Sequence, residues 1–248
     1  MSEAGDPREW LMAHRGAPWH YPENSLPGMR AVLEAGARHV EFDVQLTADR
    51  FPVVAHDNLL KRITGGDGSI TELSWDRLQQ LPAGEPERFG TRFAGLRFPG
   101  LAEMLELIHG YGQATAYIEL KRASMRQFGR AAMVEAVLPA IQAAGGPRVV
   151  LSFDAGMLKA VRRATGLPCG LALETLDTAA RRAAEALQPE SLFVSAGVLG
   201  AAHPRSLWPG PWRWVVYDVN QWSACLALRD DGVDVVETDR FLDFVEMR

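Results

Sequence analysis

The stretch HVEFDVQLTADRFPVVAHDN at residues 39–58 predicts a β-strand followed, after a short turn, by a second strand that runs back along it. In HVEFDV (39–44), apolar residues alternate with Glu41 and Asp43, as expected for a β-strand whose successive side chains point to opposite faces. The two carboxylates therefore stand side by side on one face. Both a solvent-facing edge and a metal site accommodate this pattern.

The return strand begins after a very short turn. The turn at 48–51 cannot hold the crossover that parallel neighbours need, so PVVAHD (52–57) must run antiparallel to the strand before it. We expect a β-hairpin over 45–56 that rises above the end of that strand. Pairing about the centre of the turn brings His56 level with Phe42–Asp43, so the hairpin delivers a histidine to the two acids.

Short apolar runs alternate with helical patterns along most of the chain, which is typical of βα units and a parallel sheet. Apart from the return strand, the strand candidates are residues 10–14, 39–44, 114–120, 148–153, 168–173, 191–195, 213–219 and 233–238. The helix candidates include 25–37, 101–111, 127–144, 155–165, 178–187 and 221–230. The eight strands predict the α/β class: a (β/α)8 TIM barrel with a small insertion after a β-hairpin on the second strand.

A length of 248 residues suits one domain of this kind. We predict a single domain over 1–248 with an inserted subdomain at roughly 58–100, where GGDG (65–68) and three prolines interrupt the βα pattern. The segment SLWPGPWRW (206–214) replaces much of the helix expected before the seventh barrel strand. Its tryptophans are expected to pack locally, with the alternative that one of them lines the mouth of a substrate site.

Composition narrows the possible partners and surroundings. The chain is 47% hydrophobic and 23% charged with a net charge of −5, and its basic residues are scattered, so we expect no nucleic-acid partner. Cys169 and Cys225 are expected to be buried thiols, with a disulfide the less favoured alternative. The first residues lack the apolar segment of a signal peptide, and no stretch approaches the ~20 apolar residues of a membrane span. We predict a cytoplasmic protein without stable membrane insertion.

Charged residues cluster where three predicted barrel strands and the hairpin end. They are His14, Arg15, Glu41, Asp43, Glu119, Lys121 and, from the hairpin, His56. Active sites of such barrels lie at the carboxyl ends of the strands, so these side chains should converge on one rim.

The three acids predict a cation site. Two carboxylates ~4 Å apart repel by roughly 4 kcal/mol at an effective dielectric near 20, so Glu41, Asp43 and Glu119 should raise one another's pKa values or recruit a cation. Oxygen ligands suit Mg²⁺ or Ca²⁺. A single acidic pair is more often simply solvated, but three acids beside two histidines favour a functional site.

The remaining candidates suit phosphate chemistry. His14 and His56 can serve as general base and general acid, while Arg15 and Lys121 supply donors for a bound phosphate. Asn24 is expected to cap the following helix and also to reach the site.

These motifs resemble the glycerophosphodiester phosphodiesterases of the cytoplasmic bacterial type. The matching segments are HRG (14–16), PENS (22–25), EFD (41–43), VVAHD (53–57), IELK (118–121), LSF (151–153), YDVN (217–220) and GVDVVETD (232–239). The resemblance implies a TIM-barrel phosphoric diester hydrolase that releases glycerol 3-phosphate and an alcohol from a small-molecule glycerophosphodiester.

The resemblance also implies a role for each candidate residue. The metal ligands would be Glu41, Asp43 and Glu119, and the catalytic pair would be His14 and His56. Phosphate or substrate contacts would come from Arg15, Lys121 and Asn24.

Three departures from the family pattern and one poorly matching segment leave the preferred alcohol open. Ser25 replaces a threonine, Asp218 stands where a threonine usually precedes Val-Asn, and Arg240 follows the terminal Thr-Asp. Residues 195–212 match poorly. The oligomeric state also stays open.

Three other readings compete with this one. A lysophospholipase D or sphingomyelinase D-like enzyme would need an apolar rim, for which Trp208, Trp212 and Trp214 are the candidates. A non-catalytic phosphate-binding barrel would be favoured by loss of a histidine or acid, and none is lost. A purely structural or interaction domain would gain nothing from a converging charged rim.

Overall fold

Nine strands form the sheet of this computed structural model, which describes residues 5–202 and 207–247. They are β1 (Leu11–Ala13), β2 (His39–Leu46), β3 (Pro52–Val54), β4 (Thr115–Leu120), β5 (Arg148–Ser152), β6 (Cys169–Leu173), β7 (Ser191–Ser195), β8 (Arg213–Tyr217) and β9 (Val235–Thr238). The order is β1-β9-β8-β7-β6-β5-β4-β2, and β1 also pairs with β2, so eight parallel strands close a ring. The predicted TIM barrel is confirmed.

Eleven α-helices lie within the described residues. They are α1 (Leu26–Glu34), α2 (Lys61–Thr64), α3 (Trp75–Leu78), α4 (Pro86–Phe89), α5 (Leu101–His109), α6 (Arg122–Ala143), α7 (Ala155–Thr165), α8 (Thr178–Leu187), α9 (Ala196–Ala202), α10 (Trp222–Asp230) and α11 (Phe241–Glu246). Two 3-10 helices add Pro7–Glu9 and Ile70–Glu72. One apolar cluster joins the helices to the sheet, and a second, which includes Met12, Tyr117 and Phe193, is formed by side chains of the strands.

The hairpin has the predicted register. Val44 pairs with Val54 and Leu46 with Pro52, and the Ala55 amide donates to the Asp43 carbonyl at 2.9 Å. The turn is closed by the Thr47 hydroxyl, which accepts from the Phe51 amide at 2.9 Å. Strand β3 therefore lies outside the ring and returns the chain to the rim where β2 ends.

The structure corrects several predicted helices. Helix α6 begins at Arg122 rather than at 127, because the chain is helical on both sides of Gly129, whose φ of 84° kinks the segment. A glycine tolerates this left-handed backbone, which most residues disfavour. Helices α9 and α11 were not predicted, since runs of seven and six residues show too little periodicity.

Residues 58–100 contain α2, α3 and α4, and Ile63 of α2 and Leu78 of α3 share an apolar cluster with Val53 of the hairpin. The division into a single domain with an inserted subdomain stays a prediction.

The three tryptophans of the 206–214 segment pack locally, as expected. The indole nitrogens of Trp212 and Trp214 lie 3.3 Å and 3.1 Å from the Trp208 carbonyl to which they donate. Residues 203–206, which belong to the segment that matches the family poorly, lie outside the described residues. Both cysteines are buried free thiols, so the less favoured disulfide is wrong.

Candidate active site

His14 follows β1 directly and is fixed by the last barrel strand. Its amide donates to the Thr238 carbonyl at 3.2 Å, and its Nδ1 lies 2.7 Å from Oδ1 of Asp239. The other oxygen of Asp239 accepts from the Asn220 side chain at 2.8 Å. An ionised carboxylate only accepts hydrogen bonds, so Nδ1 carries the proton and Nε2 is left to act as acceptor. That Nε2 lies 4.0 Å from Glu41.

His56 is held in the same manner at the end of the hairpin. Its Nδ1 lies 2.7 Å from Oδ1 of Asp57, and the second oxygen of Asp57 accepts from Arg62 at 2.7 Å. The His56 carbonyl accepts from the Gln45 side chain at 2.8 Å, which ties the hairpin return to β2. Both histidines therefore have Nδ1 occupied by a carboxylate.

Glu41, Asp43 and Glu119 come together as predicted. Strands β2 and β4 run parallel with Asp43 opposite Glu119, which aligns their side chains at the same level of the barrel. One oxygen of each of the three carboxylates lies within 4.8 Å of the others. Glu41 and Asp43 are buried, and Oε1 of Glu41 has no hydrogen-bond partner among the described residues.

The two predicted phosphate cations lie among these acids. Lys121 Nζ is 3.1 Å from Asp43 and 2.8 Å from Glu119, and Arg15 Nε is 3.0 Å from Asp43. Burial by itself would raise the pKa of Asp43, but Lys121 and Arg15 outweigh it and hold that pKa well below its usual range. Burial and Asp43 raise the pKa of Glu41 and of Glu119. Three acidic side chains thus share two cationic ones.

A hard divalent cation fits this donor set. The cluster offers carboxylate oxygens alone, which is what Mg²⁺ and Ca²⁺ prefer, and the buried Oε1 of Glu41 is costly to leave without a ligand. Of the two alternatives at Glu41 and Asp43, the buried positions exclude the solvent-facing edge.

Asn24 reaches the site but does not cap the helix. Its side chain both donates to Asp43 Oδ2 at 2.9 Å and accepts from the Asp43 amide at 3.1 Å. The cap of α1 is Ser25, whose hydroxyl accepts from the Gly28 amide, so the predicted capping role of Asn24 is wrong. Asn24 has a φ of 55°, a left-handed backbone that asparagine tolerates better than most residues.

A cavity of about 300 Å³ opens between these groups. Its charged or ionisable lining comprises His14, Arg15, Glu41, His56, Glu119, Lys121, Asp218 and Glu237. The rest of the lining is apolar or aromatic: Leu151, Phe153, Ala172, Phe193 and Tyr217. Most of the charged residues lie on or directly after β1, β2, β4 and β9, and the apolar ones lie on or directly after β5, β6, β7 and β8, so the cavity has a charged half and an apolar half. His56 of the hairpin adds to the charged half, and Asp218 directly follows Tyr217 at the end of the apolar half.

Sequence reasoning missed several residues of the site. The most prominent are Asp239 beside His14, Arg62 beside Asp57, and Glu237, which is buried against the cavity. Burial raises the pKa of Glu237 to about 7. Burial and Arg15 oppose protonation of His14, but Glu237 and Asp239 raise its pKa overall. The Thr-Asp pair at 238–239, quoted for the family resemblance, is the one signal that could have pointed to Asp239.

Glu23 joins Arg62 to Arg15. Its carboxylate accepts two hydrogen bonds from Arg62, each 2.7 Å, and one from Arg15 at 3.3 Å. Arg62 thus contacts both the carboxylate that holds His56 and the carboxylate that holds Arg15.

The chain is similar in sequence to known phosphodiesterases. A profile of the glycerophosphoryl diester phosphodiesterase family matches residues 14–242. Glycerophosphodiester phosphodiesterase of Caldanaerobacter subterraneus is 41% identical over 98 residues, which is 40% of this chain and 40% of that protein. Human glycerophosphodiester phosphodiesterase 1 is 35% identical over 92 residues, 37% of this chain and 28% of that protein. The matched stretch spans less than half the length of these curated relatives.

A solved structure covers nearly the whole barrel. An Oleispira antarctica phosphodiesterase in complex with the product sn-glycerol-3-phosphate is 25% identical, with a TM-score of 0.81 over 96% of this chain and 95% of that one. None of the helices within 5–202 and 207–247 has both the length and the apolar character needed to cross a membrane.

Fold and site together define the class, a TIM-barrel protein with a charged site at the carboxyl ends of its strands. Within that class, the chain belongs to the glycerophosphoryl diester phosphodiesterase family, which confirms the resemblance seen in its motifs.

Proposed function

We propose that the protein is a phosphoric diester hydrolase that converts glycerophosphodiesters to glycerol 3-phosphate and an alcohol. The observation that carries this proposal is the pair of histidines, each held at Nδ1 by a carboxylate, that flank the acids Glu41 and Glu119. Family membership and the product complex of the Oleispira antarctica phosphodiesterase support the same substrate class.

The histidines would act as base and acid on opposite sides of the phosphorus. His14 would accept a proton at Nε2 from water or from a neighbouring glycerol hydroxyl, and His56 would give a proton to the leaving alcohol oxygen. Displacement at phosphorus proceeds in line, so the base and the acid must face each other across the phosphate. The orienting carboxylates Asp239 and Asp57 support a proton-transfer role for both histidines, since both leave Nε2 free.

Charge at the phosphate would be met by Arg15 and Lys121. The guanidinium offers a planar fork and the ammonium a point charge, both suited to phosphate oxygens. When bound to Glu41, Asp43 and Glu119, Mg²⁺ or Ca²⁺ would supply Lewis-acid neutralisation of the diester. Asn24 would keep Asp43 oriented through its two hydrogen bonds.

The competing lipid-cleaving function finds little support. Trp212 and Trp214 are buried and hydrogen-bonded to the Trp208 backbone, so they do not form an exposed apolar rim. A non-catalytic barrel would not need two carboxylate-oriented histidines. The cytoplasmic location and the lack of a nucleic-acid partner remain predictions.

One assay tests the proposed function. Purified protein is incubated with diesters of glycerol phosphate carrying choline, ethanolamine, inositol or glycerol, with and without EDTA, and glycerol 3-phosphate is coupled to a dehydrogenase. We expect turnover that EDTA abolishes and added Mg²⁺ or Ca²⁺ restores. His14→Ala should reduce the rate about 10²- to 10⁴-fold. His20→Ala is the matched control, because His20 pairs with Asp243 at 2.6 Å and does not line the cavity. Absence of turnover on every diester would refute the proposal.

A further inference from the structure

Glu237 is a buried acid that has no role in the proposed reaction. It lies on β9 with 3% of its surface exposed, and it lines the cavity. Its Oε1 has no hydrogen-bond partner among the described residues. Leaving a buried polar group unpaired is costly, so the fold alone gives no reason for an acid here. An unpaired carboxylate facing a cavity indicates a ligand.

The position of the carboxylate restricts that ligand. One oxygen of Glu237 lies within 4.8 Å of a nitrogen of His14 and of an oxygen of Glu41. Strand β9 pairs with β8 on one side and with β1 on the other. Glu237 therefore lies in the cavity between the apolar half, which ends at Tyr217, and the charged half. A molecule bound there would contact the apolar half with its carbon atoms and present a polar group to Glu237.

We propose that Glu237 binds the C2 hydroxyl of the glycerol moiety and selects glycerol over alcohols that lack a vicinal hydroxyl. The inference rests on the proposed function with water as the nucleophile, which puts the phosphate among the charged groups beside His14 and leaves the C2 hydroxyl free to be bound. In a glycerophosphodiester, the C2 hydroxyl is the first hydrogen-bonding group beyond the ester oxygen. It is therefore the group that can reach Glu237 while the phosphate stays with Arg15 and Lys121.

The charge around Glu237 is mixed. His14 and Arg15 are the cationic groups that act most strongly on its carboxylate, but the acids Glu119 and Asp218 act on it as well, so an ammonium bound in the same place would meet repulsion and attraction together. A hydroxyl carries no charge and can donate to the carboxylate while it accepts from a neighbouring donor. A second cation held by His14, Glu41 and Glu237 would use the Nε2 that the proposed base needs.

The test compares two substrates on two variants. The substrates are sn-glycero-3-phosphocholine and its analogue without the C2 hydroxyl, 3-hydroxypropyl phosphocholine. Glu237→Leu should lower kcat/KM for the first about 10- to 100-fold, the size of a lost hydrogen bond to a charged group, and leave the second nearly unchanged. Glu237→Gln, which keeps a hydrogen-bonding amide, should fall between Leu and the native residue. Glu135→Gln, an exposed acid on α6, is the matched control.

A binding measurement separates this inference from the proposed reaction. Calorimetry on the metal-free protein should show that Glu237→Leu weakens glycerol 3-phosphate but not 3-hydroxypropyl phosphate. If the native protein cleaves no glycerophosphodiester yet shows this difference, the proposed reaction fails and the hydroxyl subsite stands. Retained turnover with equal loss on both substrates would assign Glu237 to the fold or the cation site.

Two further readouts would also overturn the proposal. A lower bound-metal content in Glu237→Leu would point to a second cation. A loss confined to diesters of choline or ethanolamine, and absent for the uncharged alcohol in glycerophosphoglycerol, would show that the carboxylate faces an ammonium group.

Discussion

The Oδ1 atom of Asp239 lies 2.7 Å from Nδ1 of His14, although the two residues are 225 positions apart in the sequence. This contact keeps the proton of the neutral ring on Nδ1 and presents Nε2 to the cavity. An amide at position 239 can offer its NH₂ group to Nδ1, which favours the opposite tautomer. We therefore expect Asp239→Asn to lower kcat by about 10²- to 10⁴-fold, as for other orienting carboxylates.

The same substitution should alter the pH profile in a defined direction. Burial and Arg15 lower the pKa of His14, whereas Glu237 and Asp239 raise it and prevail. Removing the Asp239 charge lowers that pKa, so the acidic limb of kcat/KM should move to lower pH if His14 is the base. Asp243→Asn is the control, because Asp243 holds His20 in a similar pair that does not line the cavity. An unchanged limb and a near-native rate would rule out the orienting role.

Arg62 should influence both catalysis and phosphate binding. It donates to Asp57, which holds His56, and to Glu23, which holds Arg15. A lysine offers a point charge and cannot span both carboxylates. Arg62→Lys should therefore lower kcat and raise KM. Together these changes should reduce kcat/KM about 10- to 100-fold, the usual cost of losing a residue that orients functional side chains.

Steady-state kinetics and a pH profile would check this expectation. Arg92→Lys is a suitable control, since Arg92 is an exposed arginine of the same 58–100 segment. If Arg62→Lys changes kcat alone, the hydrogen bonds from Arg62 to Glu23 contribute nothing to substrate binding.

The barrel and most of the rim could be predicted from the sequence because they depend on local patterns. Period-two alternation located the strands, and parallel strands bring their carboxyl ends to one rim, which gathers Glu41, Asp43 and Glu119. The short turn in the hairpin required an antiparallel return, which placed His56.

Contacts that depend on ring closure or on irregular chain were not predictable in this way. Asp239 meets His14 only because β9 pairs with β1, and no periodicity in the sequence encodes that register. Arg62 belongs to the irregular 58–100 segment, where no strand or helix pattern predicts the direction of a side chain. The capping role went to Ser25 because Asn24 is turned towards Asp43 instead.

Glu119→Gln should weaken cation binding without removing the side chain's volume. The amide keeps one oxygen but carries no charge, so the three-carboxylate cluster becomes a poorer site for Mg²⁺ or Ca²⁺. We expect the metal concentration for half-maximal turnover to rise at least about 10-fold, because mutation of residues that merely support metal ligands already lowers metal affinity by about 10- to 100-fold. Calorimetric titration of the two ions gives a readout independent of turnover. Glu103→Gln, an exposed acid on α5, should titrate like the native protein, and an unchanged Glu119→Gln curve would exclude this residue as a ligand.

His39 should make stability depend on pH at a place remote from the cavity. Its Nε2 donates to the Glu9 carbonyl at 3.3 Å, and its Nδ1 is buried without a hydrogen-bond partner in the described chain. Burial and the charge of Arg213 lower the pKa of His39 from 6.5 to about 4. Folding therefore favours the neutral ring.

The sign of the effect follows from proton uptake. Between pH 6.5 and about 4, the unfolded chain binds a proton at His39 that the folded chain does not, so stability is complete above this window and falls as the pH drops through it. The contribution should be about 2 kcal/mol, less than the full shift implies because the ring is partly exposed. His39→Gln keeps a donor for the Glu9 carbonyl and cannot titrate, so urea unfolding at pH 7 and pH 4.5 should show a smaller loss of stability than the native protein. Exposed His109→Gln should behave like the native protein, and equal pH slopes for all three would contradict the assignment.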